Sequence, residues 1–562
     1  MSLTFVRFSH LDYFFFSIVF VVSIAIGVFF AFGKRRQSME EFLFGGRNLK
    51  LLPVSFSLAA TIISGSTIIG QSIETYAYGF HNWIVISFFV PWVLAMRHVF
   101  LPVFYELQLE SSFSYLEMRF DKTVKHIAST FYVISGLIFM SLTLYVPALA
   151  FQEVTGFDLY AILVIMSAIC IWYTIIGGIR AIIWTDVFQC VLILFSGSVI
   201  LIVGWNSVGG IGKIWEALDR GQRLTFFKFD LDPSVRGTIW SYIFSAFLIY
   251  IYQFGVNQSS LQRYLSLSTF DEVNKSLWIQ SVIMVALLLI QFTIGGIIYT
   301  TYEDCDPLMA GIVKKIDQIF PHFVQEKASL FAGFNGIFIA GVFAAGLSTA
   351  STLLNTLGGT IYSDFLGSRL KITSEKTFNW TMKIIVSVVG VTSVLLVLLI
   401  ERMGTIFAIT TQCFTLSTVG VFGLFISGMF FPKINSKGAK CGVTLSMLIV
   451  GALIIGGLKK KPDPILPLRI DGCDFTNSTF SIGNHSISSN ITPLMTESED
   501  LPWIFRINFQ YYNIIGLAIN ISCAYIVSIL SGANEVTNQK LLVTFLRKSD
   551  RSDALMSCTS TT

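Results

Sequence analysis

Between Gly341 and Asn355 the chain sets five side-chain oxygens, on Ser348, Thr349, Ser351, Thr352 and Asn355, within about two helical turns of a stretch that otherwise carries small residues such as Ala344, Ala345 and Gly346. A hard cation stripped of water, such as sodium, wants several oxygen ligands, and neutral hydroxyls with backbone carbonyls hold it without trapping it. Ser348 and Thr349 are the natural ligands. The bland alternative, each hydroxyl bonding back to the preceding turn, explains any one residue but not the cluster.

A second stretch, Pro53 to Gly70, reads PVSFSLAATIISGSTIIG and is crowded with Ser, Thr and Gly. Two readings fit it. One is a discontinuous helix whose freed carbonyls bind a cation, since unwound backbone survives in a bilayer only where protein buries it or it lines a cavity. The other is close helix packing through small residues. Asp186 follows Trp184 and Thr185, and an ionisable group at membrane depth marks an ion or substrate pathway by default. Its bland reading is a carboxylate capping its own helix at the interface, just beyond Gly177 and Gly178. Gln189 lies one turn on and shares its face. Arg97, Glu106, Arg119 and Lys122 flank helix ends and read as snorkelling or solvated.

The elements that must position these groups are membrane helices. A chain 54% hydrophobic and 13% charged cannot keep most of its surface in water. Apolar runs long enough to cross a bilayer fall near 11–33, 51–75, 81–105, 126–150, 160–177, 183–204, 238–257, 276–302, 329–357, 380–401, 404–431, 440–458 and 511–532. This is an all-α polytopic membrane protein of about thirteen transmembrane helices, with the lipid bilayer as a partner. The net charge of +4 is spread over loops, so nucleic acid is excluded as a partner. Lys34, Arg35, Arg36, Arg47 and Lys50 after the first span place that loop in the cytoplasm, the N-terminus outside and, after thirteen crossings, the C-terminus inside. Three sequons, at Asn477, Asn484 and Asn490, fall in the loop this topology puts outside, as glycosylation requires.

The eight cysteines show no metal-ligand spacing, and Cys305 and Cys473, the two in predicted outer loops, are open to pairing or to staying free. No nucleophile, base and orienter stand together, so the chain is not read as an enzyme. The tail with Lys540, Arg547, Lys548 and Arg551 reads as a disordered cytoplasmic extension.

Several ordered motifs carry a resemblance. They are Glu41-Phe42-Leu43-Phe44-Gly45-Gly46-Arg47, Tyr173-Thr174 with Gly177-Gly178-Ile179-Arg180-Ala181, Trp184-Thr185-Asp186-Val187-Phe188-Gln189, Gly255-Val256-Asn257-Gln258 with Gln262-Arg263-Tyr264, and Leu347-Ser348-Thr349-Ala350-Ser351-Thr352. Together, over about residues 12–431, the chain resembles the sodium:solute symporter family, in the branch of sodium-coupled monocarboxylate, multivitamin and iodide transporters.

That resemblance implies a LeuT-like fold of two inverted five-helix repeats, here 51–204 and 238–431. Residues 1–50 would be the extracellular N-terminus, first helix and cytoplasmic loop; 432–532 the last two helices with the glycosylated outer loop; and 533–562 the cytoplasmic tail. It implies that sodium, the co-transported ion, meets carbonyls of Ala60, Ile63 and Ala345 and hydroxyls of Ser348 and Thr349. Asp186 would stand behind them, with Gln189 and Gln258 as polar neighbours. Thr67 and Gln71 would meet the solute, with Phe414 as a wall. Thr67 stands where the iodide transporter has Gln and the monocarboxylate branch has Thr, which tilts the solute toward a monocarboxylate. Ser72 for Pro, Ala77 for Arg and Val419-Gly420 for Gly-Pro depart from the branch, and the lost Arg removes an anion attractor near the outer end of the substrate helix.

The implied function is sodium-coupled symport of a small organic anion into the cell across the plasma membrane by alternating access. The ion would bridge spans two and nine and couple through its different affinity for two states. One charge crossing 100 mV yields about 2.3 kcal/mol, roughly a fifty-fold gradient. The alternatives are a sodium-dependent multivitamin or other small-solute symporter, and a solute-gated sodium sensor or channel that does not concentrate its solute.

Overall fold

Where helices break decides this fold as much as where they run. The computed structural model describes residues 8–32, 39–109, 111–327, 332–367, 374–401, 406–457, 460, 463–473, 502–532 and 538–547, and among them the elements are helical apart from one isolated bridge between Leu49 and Leu267. The sequons at Asn477, Asn484 and Asn490 lie outside the described residues.

Helix α1 (His10–Phe32) carries Asp12 in its first turn, whose carboxylate accepts the Ser9 N–H and, far along the chain, the Gly336 N–H, both at 2.7 Å. Next come α2 (Leu51–Ile62) and α3 (Gly65–Tyr78), bent by 58° across Ile63 and Ser64. The last bond of α2 runs from Ile63 N–H to Ala59 O, so the carbonyls from Ala60 onward fall beyond its ladder. Ser64 then caps α3 by accepting the Thr67 N–H at 3.3 Å. Of the two readings of this stretch, the discontinuous helix is the one observed.

The chain continues through α4 (Phe80–Leu107), α5 (Ser112–Arg119) and α6 (Lys122–Thr155) to α7 (Leu159–Val208). At 50 residues α7 is about 75 Å long, far more than a bilayer core. It turns at Gly178, whose φ of 57° and ψ of −163° suit only glycine, so spans five and six are its two halves.

After α8 (Ile211–Arg220) comes α9 (Ile239–Val256), matching the span expected over 238–257. Asn257 breaks the helix at ψ 131° and accepts the Ser259 N–H at 3.0 Å, capping α10 (Gln258–Tyr264), a half-helix with every residue buried. The remaining helices are α11 (Phe270–Thr301), α12 (Ile319–Lys327), α13 (Phe334–Leu366), α14 (Lys376–Ile400), α15 (Ile406–Phe430), α16 (Ser436–Gly457) and α17 (Phe509–Leu530). Among the described residues eleven helices are long and apolar enough to cross a membrane, twelve with the bent pair, and dividing α7 at Gly178 adds one to reach the thirteen expected.

The core runs along α13, whose most apolar window is wholly buried. Small residues let it approach α6: a Cβ on Gly346 would lie 2.6 Å from the Pro147 ring and 3.1 Å from the Thr143 carbonyl, which Pro147, lacking an N–H, leaves free of the helix ladder.

Each end of the bundle carries a strap. At one, Cys305 and Cys473 form a disulfide with Cα atoms 5.0 Å apart, and the segment 463–473 crosses the end of α3 through Leu466 N–H to Ala77 O at 3.0 Å. At the other, residues 538–547 depart from the disordered extension expected. Leu541, Leu542 and Val543 are buried, Tyr115 donates to the Leu541 carbonyl at 2.9 Å, and Arg547 pairs with Glu106 at 2.8 Å. Arg119 is not simply solvated either. It donates to the carbonyls of Gly428, Phe431, Pro432 and Ile434 at 3.0 to 3.2 Å, where the chain leaves α15.

Candidate cation and solute site

Near the two breaks α2 and α10 meet α7 and α13 at one buried polar centre. Asp186, in the interior of α7 and 0% exposed, accepts Ser348 Oγ at 2.7 Å, Ser57 Oγ at 2.6 Å and Arg263 Nη2 at 3.0 Å. This removes the reading in which it caps its own helix. Arg263, from α10, is 2% exposed and also donates to Ser57 Oγ at 2.7 Å, Thr352 Oγ1 at 2.5 Å and Ser259 O at 2.9 Å. A buried ion pair is tolerable only when further hydrogen bonds satisfy both partners, and here Ser57 of α2, Ser259 of α10, and Ser348 and Thr352 of α13 supply them. Ser348 gives its hydrogen to the carboxylate, so its lone pairs stay available to a cation.

Thr349 sits across the break. Its hydroxyl donates to Thr61 O at 3.1 Å and lies 3.2 Å from Ala345 O. Ala60, Ile63 and Ala345 are all 0% exposed, and Ile63 has left the helix at φ −88°, ψ 98°, so its carbonyl no longer points along α2. Of the five residues expected around sodium, Thr349 bridges the end of α2 and Ala345, Ser348 meets Asp186, and Ala60 and Ile63 are buried at or just past the end of α2. Asp186 bonds to Ser57, Ser348 and Arg263, while Gln189, one turn along the same helix, and Gln258 carry contacts of their own. Gln189 donates to Ser23 of α1 at 3.3 Å, and Gln258 accepts the Ser112 N–H at 2.7 Å, holding the start of α5.

Beyond the break, Thr67, Gln71 and Phe414 line one cavity of about 120 Å³, together with Asn82, Tyr242 and Gln510. A smaller one of about 40 Å³ lies on the hydroxyl side, bounded by Thr61, Thr349 and Thr352. Ile62, Gln253 and Phe414 border both, and every side chain lining either space is neutral. Such a lining can orient a small polar solute by hydrogen bonds but supplies no formal charge.

Arg263 and Ser57 were not expected here. The signal for Arg263 was present, because a carboxylate at membrane depth demands a countercharge, and an arginine with no assigned role stood in one of the ordered motifs.

Comparison with known proteins agrees with this geometry. The sequence profile of the Sodium:solute symporter family matches residues 42–446. Sodium-coupled monocarboxylate transporter 2 of Mus musculus is 32% identical over 527 residues, covering 93% of this chain and 84% of its own length. Sodium-coupled monocarboxylate transporter 1 of Homo sapiens is 32% identical over 549 residues, covering 93% and 88%. In fold, the chain is similar to the substrate-bound outward-open state of a Na+-coupled sialic acid symporter, with a TM-score of 0.75 at 22% identity over 94% of this chain and 100% of that one. With the match running from Phe42, ahead of the first break, to Ser446 in α16, the chain belongs to the sodium:solute symporter family and is a sodium-coupled carrier, not an enzyme.

Proposed function

We propose that the chain carries a small monocarboxylate together with sodium into the cell across the plasma membrane. Sodium is held by the carbonyls of Ala60, Ile63 and Ala345 and the hydroxyls of Ser348 and Thr349, with Asp186 fixing Ser348 from behind. The observation that carries this reading is the bond from Thr349 of α13 to the Thr61 carbonyl at the end of α2, beside the break, at 3.1 Å. A cation bound among the same oxygens would tie those helices together, and its loss would free them. That difference in affinity between two arrangements is what couples an ion to alternating access.

Thr67, Gln71 and Phe414 meet the solute. Their cavity, about 120 Å³, is below the roughly 300–1,000 Å³ that suits drug-sized ligands, which favours a short carboxylate over a vitamin. The relatives named for monocarboxylates point the same way. Residues 51–204 and 238–431 act as the two repeats, a reading supported by their each opening on a broken helix, at Ser64 and Asn257. The disulfide end faces outward, since the sequons lie between Cys473 and residues that pack at that end, and the 538–547 strap faces the cytoplasm.

A monoanion changes the driving force. With one sodium the two charges cancel, the membrane potential does no work, and only the sodium ratio concentrates the solute; each further sodium adds about 2.3 kcal/mol per 100 mV.

Cells expressing the chain are expected to accumulate labelled lactate, pyruvate or butyrate only with sodium outside. Ser348→Ala with Thr349→Ala is expected to abolish that dependence while surface expression persists. Sodium-dependent uptake unchanged in the double variant removes the ion site; sodium-gated current without accumulation assigns a sensor instead.

A further inference from the structure

At the disulfide end of the cavity lies a buried charge cluster that neither the ion site nor the cavity lining employs. Glu74 stands on α3 along the face that carries Thr67 and Gln71, at helical spacings of four and three. Its two oxygens take the Arg236 fork, Nε at 3.1 Å and Nη2 at 2.6 Å, while Arg236 Nη1 reaches Asp463 of the strap at 3.4 Å. The guanidinium lies 4.0 Å over the Tyr78 ring, 5.2 Å from Phe509 and 5.7 Å from Phe407, and Phe407 lines the cavity. Arg236 is 9% exposed and Glu74 3%.

We propose that Arg236 receives the anionic group of the solute, with Glu74 as the internal carboxylate that the solute displaces from it. This deepens the monocarboxylate reading and rests on it. Three observations carry the proposal. First, the cavity lining is wholly neutral, so a carboxylate entering it brings a charge with no countercharge among those side chains, and the Arg236 guanidinium lies 5.7 Å from the ring of Phe407, one of those lining residues. Second, that guanidinium is already held two-pronged by a carboxylate, the geometry a solute carboxylate would reproduce. Third, Asp463 has its own cation in Lys460, at 2.8 Å, so it keeps a partner when Arg236 turns to the solute.

Glu74 is then released toward water as this end opens. The arrangement also answers the missing arginine at Ala77. That residue is 1% exposed beneath the strap, its carbonyl accepting the Leu466 N–H, and the cation at this end comes from the chain ahead of α9 instead.

The two partners of one ion pair therefore have opposite expected effects. In cells expressing the full chain, with sodium saturating and uptake normalised to surface protein, Arg236→Gln is expected to raise KM for labelled butyrate about tenfold or more, the loss of a charged hydrogen-bond pair. Its half-saturating sodium is expected to stay unchanged. Arg236→Lys recovers part of the affinity, as a point charge without the fork. Glu74→Gln, which removes the competing carboxylate, lowers KM.

If Arg236 only braces the fold, Arg236→Gln and Glu74→Gln shift KM in the same direction, and that result overturns the proposal. So does an unchanged KM in Arg236→Gln. If Arg236→Gln fails to reach the surface, the opposed shifts of Arg236→Lys and Glu74→Gln decide. Failure of the underlying reading looks different: a wild type that takes up labelled inositol or glucose, and no carboxylate, overturns both.

Discussion

At the scale of the residue, the buried ions are held by hydrogen bonds more than by proximity. Asp186 and Arg263 each find neutral partners on neighbouring helices, and Ser57 bonds both, donating to the carboxylate and accepting from the guanidinium. Asp317 is the contrasting case. It lies outside the membrane spans, is buried, and caps α15 by accepting the Ile406 N–H at 3.3 Å, yet no ion pair among the described residues holds it. Burial pushes its carboxyl up to about 6, against the opposing pull of the Ile406 N–H and of Lys315. A folded-state pKa above the unfolded value near 3.9 means the native protein binds this proton more tightly, so stability falls as pH rises from about 4 through 6 and the penalty is complete above that. Asp317→Asn should therefore be more stable than wild type at pH 7.5, by roughly 2–3 kcal/mol, and the gap should shrink to about 1 kcal/mol at pH 4.5, closing only below about pH 4. Thermal melting in detergent at the two values checks this, and a gap that does not change with pH rejects it.

The same physics governs how much of this scale the sequence disclosed. Ser348 and Thr349 were legible because hydroxyls so dense on an apolar helix have few other uses. Arg263 was legible only as an unassigned arginine that could answer the demand of Asp186 for a countercharge, because which cation pairs with it is fixed by the folding of another stretch and leaves no local spacing to read.

At the scale of the element, the informative residues are those that interrupt. The break at Ser64 could be read from the Ser, Thr and Gly around it; at Asn257 the helix end could be read, but not the buried half-helix α10 beyond it, since one asparagine followed by a polar run looks like an ordinary helix stop and loop. The thirteen spans were legible for the plain reason that hydrophobic length is set by the bilayer. Close approach was only half legible. Small residues around Gly346 announced it, but the Pro147 ring that fills the space comes from α6. Gly346→Ala should gain up to about 1 kcal/mol in helix propensity and lose about 1–3 kcal/mol by overpacking against Pro147 and the Thr143 carbonyl, so the clash wins. Because Gly346 lies between Ala345 and Ser348, half-saturating sodium should rise with the loss of thermal stability. A variant as stable as wild type with unchanged sodium dependence refutes the packing argument.

At the scale of the whole molecule, straps from outside the two proposed repeats tie those repeats together at both ends. The 538–547 strap touches α5 through Tyr115, the end of α4 through Glu106 and α15 through Val543 N–H to Met429 O at 3.3 Å. It escaped the sequence reading because its five apolar residues, of which only Leu541 to Val543 are buried, are too few to stand out in a polar tail. Two kinds of anchor compete here. Lys540 and Arg547 pair with Glu106 at a partly exposed site, worth about 0–1 kcal/mol, whereas Leu542 is 2% exposed and its truncation should cost about 2 kcal/mol or more. Leu542→Ala should accordingly lower the melting temperature clearly and Glu106→Ala hardly at all. Since the strap joins helices of both proposed repeats, Leu542→Ala should also change the maximal uptake rate while leaving KM for the solute unaltered, the mark of an altered conformational step and not of an altered site. Deleting residues 538–562 supplies the decisive control: if that shortened chain melts and transports like wild type, the strap holds nothing, and the rates of opening at this end are set by the helices alone.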